Sequence, residues 1–167
     1  PRRSEGRGAV GELHAGLDDR LLDRRGDLLG RDLGHQQVAG IAAALRAAGV
    51  GTGDRVAAYL PNLPETIIAM LATTSIGAIW SSCSPDFGVT GVVDRLGQIE
   101  PKVLFCAAAY TYNGKQHDCL SKVREIQDQI QSIQKIVVIP YVDQAPDLNG
   151  LKNAQLWDRF SHDQASQ

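Results

Sequence analysis

Three uninterrupted apolar runs, RVAAYL (55–60), VLFC (103–106) and IVVI (136–139), recur along this chain with helix-patterned segments between them. Each is too short for a buried helix and too uniformly apolar for a strand with one wet face. A fourth run, AIWSS (78–82), starts the same way and breaks into serines. Strands of this kind are covered on both sides, and the intervening helices supply the covers. The alternation therefore predicts an α/β fold, a parallel sheet with helices on both faces.

The helical segments carry the matching period. From His35, HQQVAGIAAALRAAG places Val38, Ile41, Leu45 and Ala48 on one face and stops at Gly49. After Pro61, the sequence Asn62-Leu63-Pro64-Glu65 reads as a helix start, with Asn62 as the cap and Pro64 tolerated in the first turn. The helix that follows, to about Ile76, is apolar almost all round, which predicts burial. Val89, Val92, Val93, Leu96 and Ile99 stripe a third helix. Leu120, Val123, Ile126, Ile130 and Ile133 stripe a fourth. Beyond Tyr141 the text is loop-like, with a brief Leu156-Trp157…Phe160 patch and a polar tail.

Residues 1–34 are a different text: seven Gly, seven Arg, seven Asp or Glu, and no Lys, Ile or aromatic residue. Glycine every few residues costs any long helix about 1 kcal/mol each. The division expected is a disordered leader (1–34), an α/β domain (35–142) and a loop-rich tail (143–167).

A net charge of −2 and the lack of a basic stripe interleaved with aromatics argue against nucleic acid as a partner. No apolar run approaches the roughly 20 residues needed to span a bilayer. No apolar segment follows the opening Pro-Arg-Arg-Ser, so it does not read as a secretory signal. Cys83, Cys106 and Cys119 are odd in number, widely spaced and without a CxxC pair. They fit reduced thiols in the cytoplasm better than a disulfide framework or a zinc site.

In a parallel sheet, ligands bind outside the carboxyl ends of the strands. Three stretches fall there: Pro61-Asn62, the turn in GAIWSSCSPDFG (77–88), and the segment 107–115. Ser84, Pro85, Asp86, Phe87 and Gly88 form either a strand end closed by a turn or a ligand contact. AAAYTYNGKQ (107–116) is either an Asn-Gly turn with exposed tyrosines or a rim where aromatics and one cation meet an anion. Other motifs fail on context. GVGTGDR (49–55) precedes a strand, whereas a dinucleotide fingerprint follows one. TTSIG (73–77) has one glycine and no neighbouring lysine, too little to cradle a phosphate. In HDC (117–119), His117 and Cys119 stand two apart and do not face each other on a helix. No catalytic group and no metal site is visible.

GDRVAAYLPNLPETIIAMLATTSIGAIWSSCSPDFG (53–88), DRLGQIEPKVLF (94–105), YNGK (112–115) and KIVVIPYV (135–142) resemble the N-terminal part of the acetoacetyl-CoA synthetases. These acetoacetate–CoA ligases are a branch of the adenylate-forming acyl-CoA synthetases. The resemblance implies an early portion of their large N-terminal domain. It implies a reaction in which the acetoacetate carboxylate attacks the α-phosphate of ATP, with Mg²⁺, and pyrophosphate leaves. The thiol of CoA then attacks the acyl-adenylate and AMP leaves. Acetoacetate, ATP and CoA would be the small-molecule partners, and acetyl-CoA synthetase is the neighbouring enzyme reading. A non-catalytic module that binds CoA or a partner chain is the reading from a different class. In the relatives, the loop matching Ser84–Gly88 runs beside the pantetheine channel. The loop matching 112–115 carries arginines near the phosphoadenosine of CoA. Here Asn113, Gly114 and Lys115 occupy it, with Lys115 the one cation, a point charge without arginine's bidentate fork. The family's phosphate loop, ribose-binding Asp and catalytic Lys match nothing here, so the chain by itself is expected not to adenylate. Residues 1–34 do not resemble the family either; their composition suggests another reading frame of a GC-rich gene, and a fusion or an error in the gene's reading is the alternative.

Overall fold

The computed structural model describes residues 29–162, with side chains from residue 34 onward. Residues 1–28 and 163–167 lie outside the described residues, and most of the expected disordered leader lies there with them. The elements are α1 (Leu29–Ala47), β1 (Arg55–Tyr59), α2 (Pro64–Ser75), β2 (Ile79–Cys83), α3 (Val89–Leu96) and β3 (Val103–Ala107). They continue with β4 (Ala109–Tyr112), β5 (Lys115–Asp118), α4 (Leu120–Gln129), β6 (Lys135–Ile139), β7 (Ala154–Leu156) and α5 (Trp157–His162).

Five strands form one sheet in the order β2-β1-β3-β6-β7, and every pairing in it is parallel. The period of two along each strand divides the core into two layers. Val56, Ala58, Phe105 and Val137 point to a layer with Ile41 and Leu45 of α1, Ala69 and Ala72 of α2, and Trp157 and Phe160 of α5. Ala57, Tyr59, Leu104, Cys106 and Val138 point to the opposite layer, with Val92 and Leu96 of α3 and Val123 and Ile126 of α4. The sheet is thus covered on both faces, as its apolar strands require. Phe105 anchors the first layer, with ring centroids 6.2 Å from Trp80, 5.8 Å from Trp157 and 6.1 Å from Phe160.

The chain leaves β1 for β2 on one side, then passes back over β1 to reach β3 on the other. That reversal opens a crevice beyond the carboxyl ends of β1 and β3.

Local differences from the sequence reading have physical causes. Helix α1 begins at Leu29, six residues before the expected His35. Asn62 does not cap α2: the N-cap is Leu63, with Pro64 at the first helical position, and the Thr66 hydroxyl donates to the Pro61 carbonyl at 2.9 Å. Nor is α2 buried all round, since Ile67 is 53% and Leu71 46% exposed on its outer side. Helix α2 ends at Ser75 with Ile76 as its C-cap, and the chain turns away at Gly77, whose φ of 75° suits glycine and where a Cβ would stand 2.9 Å from the Thr52 hydroxyl. Helix α4 stops at Gln129; Ile130 and Ile133, read as its last turn, stay buried in a following turn closed by Ile133 N–H to the Ile130 carbonyl. Within the stretch read as loop-like, Ala154–Leu156 adds a strand beside β6 and Trp157–His162 forms a helix.

Candidate ligand site at the strand ends

The crevice holds a cavity of about 380 Å³ lined by three segments: residues 60–62 with Thr66, residues 82–86, and residues 110–112. Each follows a strand of the sheet at its carboxyl end: β1, β2 and β3. Hydroxyl and amide groups of Asn62, Thr66, Ser82, Ser84 and Thr111 stand among these residues, Asp86 is the sole carboxylate, and no lysine or arginine is present. Such a lining suits a thin ligand with neutral amide or hydroxyl groups and offers no cation for a phosphate.

The segment 84–88 is held from three directions. The Tyr59 hydroxyl, on a fully buried ring, lies 2.8 Å from the Pro85 carbonyl and 2.8 Å from the Phe87 carbonyl. Tyr110 donates to Asp86 Oδ1 at 3.0 Å, while the Ser84 hydroxyl donates to Asp86 Oδ2 at 2.9 Å. Lys122 Nζ of α4 reaches the Pro85 carbonyl at 3.3 Å. The Arg95 guanidinium stands 4.3 Å over the Phe87 ring. Burial, then the hydrogen bond to Asp86, raises the Tyr110 phenol; burial, then the thiol of Cys119 and the Tyr110 phenol, raises Tyr59. Both stay protonated donors.

Residues 107–116 read as a loop, but 109–118 fold as an antiparallel hairpin of β4 and β5 that also takes in His117 and Asp118. Asn113 and Gly114, at φ of 49° and 70°, make its two-residue turn between the paired Tyr112 and Lys115. Positive φ at both turn residues matches the right-handed twist of the strands and selects Asn-Gly. Thus Ser84, Pro85 and Asp86 line the cavity with Tyr110 and Tyr112, while Asn113, Gly114 and Lys115 sit at the hairpin tip and are absent from the lining. Phe87 and Gly88 also lie outside the lining; Gly88, the N-cap of α3, has φ −69° and open space where a Cβ would be. Nothing in the chain itself therefore demands glycine at position 88.

The rejected motifs have structural employment. Asp54 accepts from the Gly51 N–H and Lys102, closing GVGTGDR as a helix-to-strand turn. The Thr73, Thr74 and Ser75 hydroxyls donate back to carbonyls of their own helix, leaving no phosphate cradle. Asp118 caps α4 by accepting from the Leu120 and Ser121 N–H groups, and His117 stacks on Tyr110 at 5.1 Å. All three cysteines are buried free thiols. Among the described residues no three His, Cys, Asp or Glu side chains gather to hold a metal ion. Among them, too, no helix is long and apolar enough to cross a membrane.

Sequence reasoning missed Tyr59, which in RVAAYL is indistinguishable from any apolar strand residue. Tyr110 it counted only as a rim aromatic.

Comparison with known proteins agrees with this architecture. Over 127 residues the chain is 50% identical to the acetoacetyl-CoA synthetase of Danio rerio, covering 75% of this chain and 19% of that protein. It is 56% identical over 104 residues to the acetoacetyl-coenzyme A synthetase of Rhizobium meliloti, covering 62% of this chain and 16% of that one. The solved acetoacetyl-CoA synthetase from Streptomyces lividans superposes with a TM-score of 0.71 at 41% identity, over 79% of this chain and 20% of that structure. The chain spans about a fifth of the length of such relatives. The model of the AMP-binding enzymes matches residues 32–166, nearly all of the described fold, and the chain therefore belongs to the AMP-binding enzyme family.

Proposed function

We propose that this chain forms an early part of an acetoacetate–CoA ligase, which joins acetoacetate to CoA while ATP is split to AMP and pyrophosphate. The observation that carries the reading is the identity of 50% over 127 residues and of 56% over 104 residues with acetoacetyl-CoA synthetases. The chain contributes the parallel sheet and, at its switch point, a wall for the pantetheine arm of CoA. Ser84, Pro85, Asp86, Phe87 and Gly88 would flank that arm, which is thin, neutral and rich in amides. The hydroxyl and amide groups of the lining fit it, beside the single carboxylate of Asp86, and the open space at Gly88 leaves room for close approach. Asn113, Gly114 and Lys115 would meet the phosphoadenosine end, where Lys115 offers a charge but no fork.

The Thr73, Thr74 and Ser75 hydroxyls are turned back onto their own helix and cradle no phosphate. The family resemblance assigns the adenylating groups to other parts of the ligase, and AMP formation is not expected of the 167 residues alone. Its partners are these small molecules in the cytoplasm, not nucleic acid. The test is AMP formation by the full-length protein with acetoacetate, ATP, Mg²⁺ and CoA. Activity greater with acetoacetate than with acetate is expected. Preference for acetate would make it an acetyl-CoA synthetase, and CoA binding with no AMP formed would make it a non-catalytic module.

A further inference from the structure

We infer that Tyr59 is a positioning residue for CoA, setting the shape of the segment 84–88 through two carbonyls. The inference deepens the ligase reading and rests on it. Tyr59 ends β1 at the switch point with its ring fully buried among Ala57, Cys83, Leu104 and Cys106. A buried phenol needs a partner for its O–H, and one proton is available for two acceptors. Both acceptors, the Pro85 and Phe87 carbonyls, lie at 2.8 Å, so the hydroxyl bridges the backbone on either side of Asp86. That draws both carbonyls inward, and Asp86 projects from the bridged turn to meet Tyr110 across the cavity. Lys122 supports the Pro85 carbonyl alone, so Phe87 depends on Tyr59 for its contact. Neither the sheet pairing nor the packing of the ring requires the hydroxyl. Its effect falls on the curvature of the segment that faces the ligand.

The test is Tyr59→Phe in the full-length protein, which keeps the ring and removes the oxygen. Two half-reactions are read separately: acetoacetate-dependent exchange of pyrophosphate into ATP, which needs no CoA, and steady-state thioester formation. The expected result is a KM for CoA raised about fivefold, the scale of one lost hydrogen bond, with pyrophosphate exchange unchanged. Tyr110→Phe, which removes the hydrogen bond from the hairpin to Asp86 of the same segment, should shift the KM for CoA in the same direction and serves if the first variant does not fold. An unchanged KM for CoA in a folded variant overturns the inference and leaves the ligase reading standing. Equal loss of exchange and thioester formation also overturns it, showing a role in stability alone. No acetoacetate-dependent exchange by the unsubstituted protein overturns the ligase reading, and this inference with it.

Discussion

Lys102 Nζ lies 2.7 Å from Asp54 Oδ2, and the same ammonium donates to the Gly49 carbonyl at 3.2 Å. The contact ties the start of β3 to the glycine turn between α1 and β1. The hydrogen bond from Lys102, then that from the Gly51 N–H, holds the Asp54 carboxyl below the usual carboxylate range. A lowered carboxyl contributes stability that is complete above its unfolded pKa of about 3.9 and is lost as pH falls through the folded value. Asp54→Asn should therefore lower Tm at pH 7, and the gap from the unsubstituted chain should shrink below about pH 4. Melting curves at pH 7 and pH 3 decide it: a gap of equal size at both would show that the charge is not responsible.

Phe105 touches Trp80 from β2 and both Trp157 and Phe160 from α5, so one ring joins an edge strand to the last helix. Phe105→Ala removes aromatic contacts on three sides and leaves a void under the sheet. The expected loss is about 3–5 kcal/mol, read from urea unfolding. A loss under 1 kcal/mol would mean that the layer collapses onto the void without help from this ring.

What could be read before the structure follows from how each residue earns its place. Strands β1, β3 and β6 are legible because, after the partly buried Arg55 and Lys135 that open β1 and β6, their residues are buried on both faces and leave an apolar run. Strand β7 is three half-buried residues with no such signature, and it forms only because β6 offers a free edge. The hairpin had a usable signal in Asn113-Gly114, but its strands AYTY and KQHD carry too little apolar alternation to show their length. Helix α2 looked buried because hydrophobicity along a helix gives composition, not the presence of a neighbour for each face. At the site, Ser84, Pro85 and Asp86 were legible as turn residues at a strand end. The cavity they line was not, because it also needs the hairpin, and strand order alone brings the two together.

Lys115 follows the Asn-Gly turn and is exposed at the hairpin tip. If it meets the phosphoadenosine of CoA, the contact is a solvated ion pair, worth up to about 1 kcal/mol. Lys115→Ala should weaken CoA binding to the full-length protein about two- to fivefold, more at low salt. Dephospho-CoA, lacking the terminal phosphate, should bind both proteins alike. Calorimetric titration of each ligand tests this, and identical CoA affinity would remove Lys115 from the site.

Burial makes the three thiols poor nucleophiles. It raises Cys83 and Cys106, and it pushes Cys119 up to about 12 against the opposing pull of Lys122. The reactive thiolate is therefore scarce at pH 8, and the surrounding side chains block access to Cys106 and Cys119 as well. Iodoacetamide at pH 8 should leave all three unmodified in the native chain and label all three in urea, as intact mass will show. Labelling of one cysteine without denaturant would reveal local opening at its strand.

Ile67 and Leu71 stand four apart on the outer side of α2, and Ile79 is 52% exposed on the neighbouring edge strand β2. An apolar side chain already in water loses little when it becomes polar, so Ile67→Glu and Leu71→Glu should each change the stability of the isolated chain by under about 0.5 kcal/mol. Helix propensity is not sacrificed, because glutamate is at least as good a helix former as the residues it replaces. The same substitutions at a covered face would each bury an unpaired carboxylate and cost several times more. Unfolding of both variants in the 167-residue chain and in the full-length protein separates the cases. Small losses in the first and large ones in the second would show that further chain covers this face. Large losses in the isolated chain would mean that α2 is packed there after all, in contradiction to its exposed outer side.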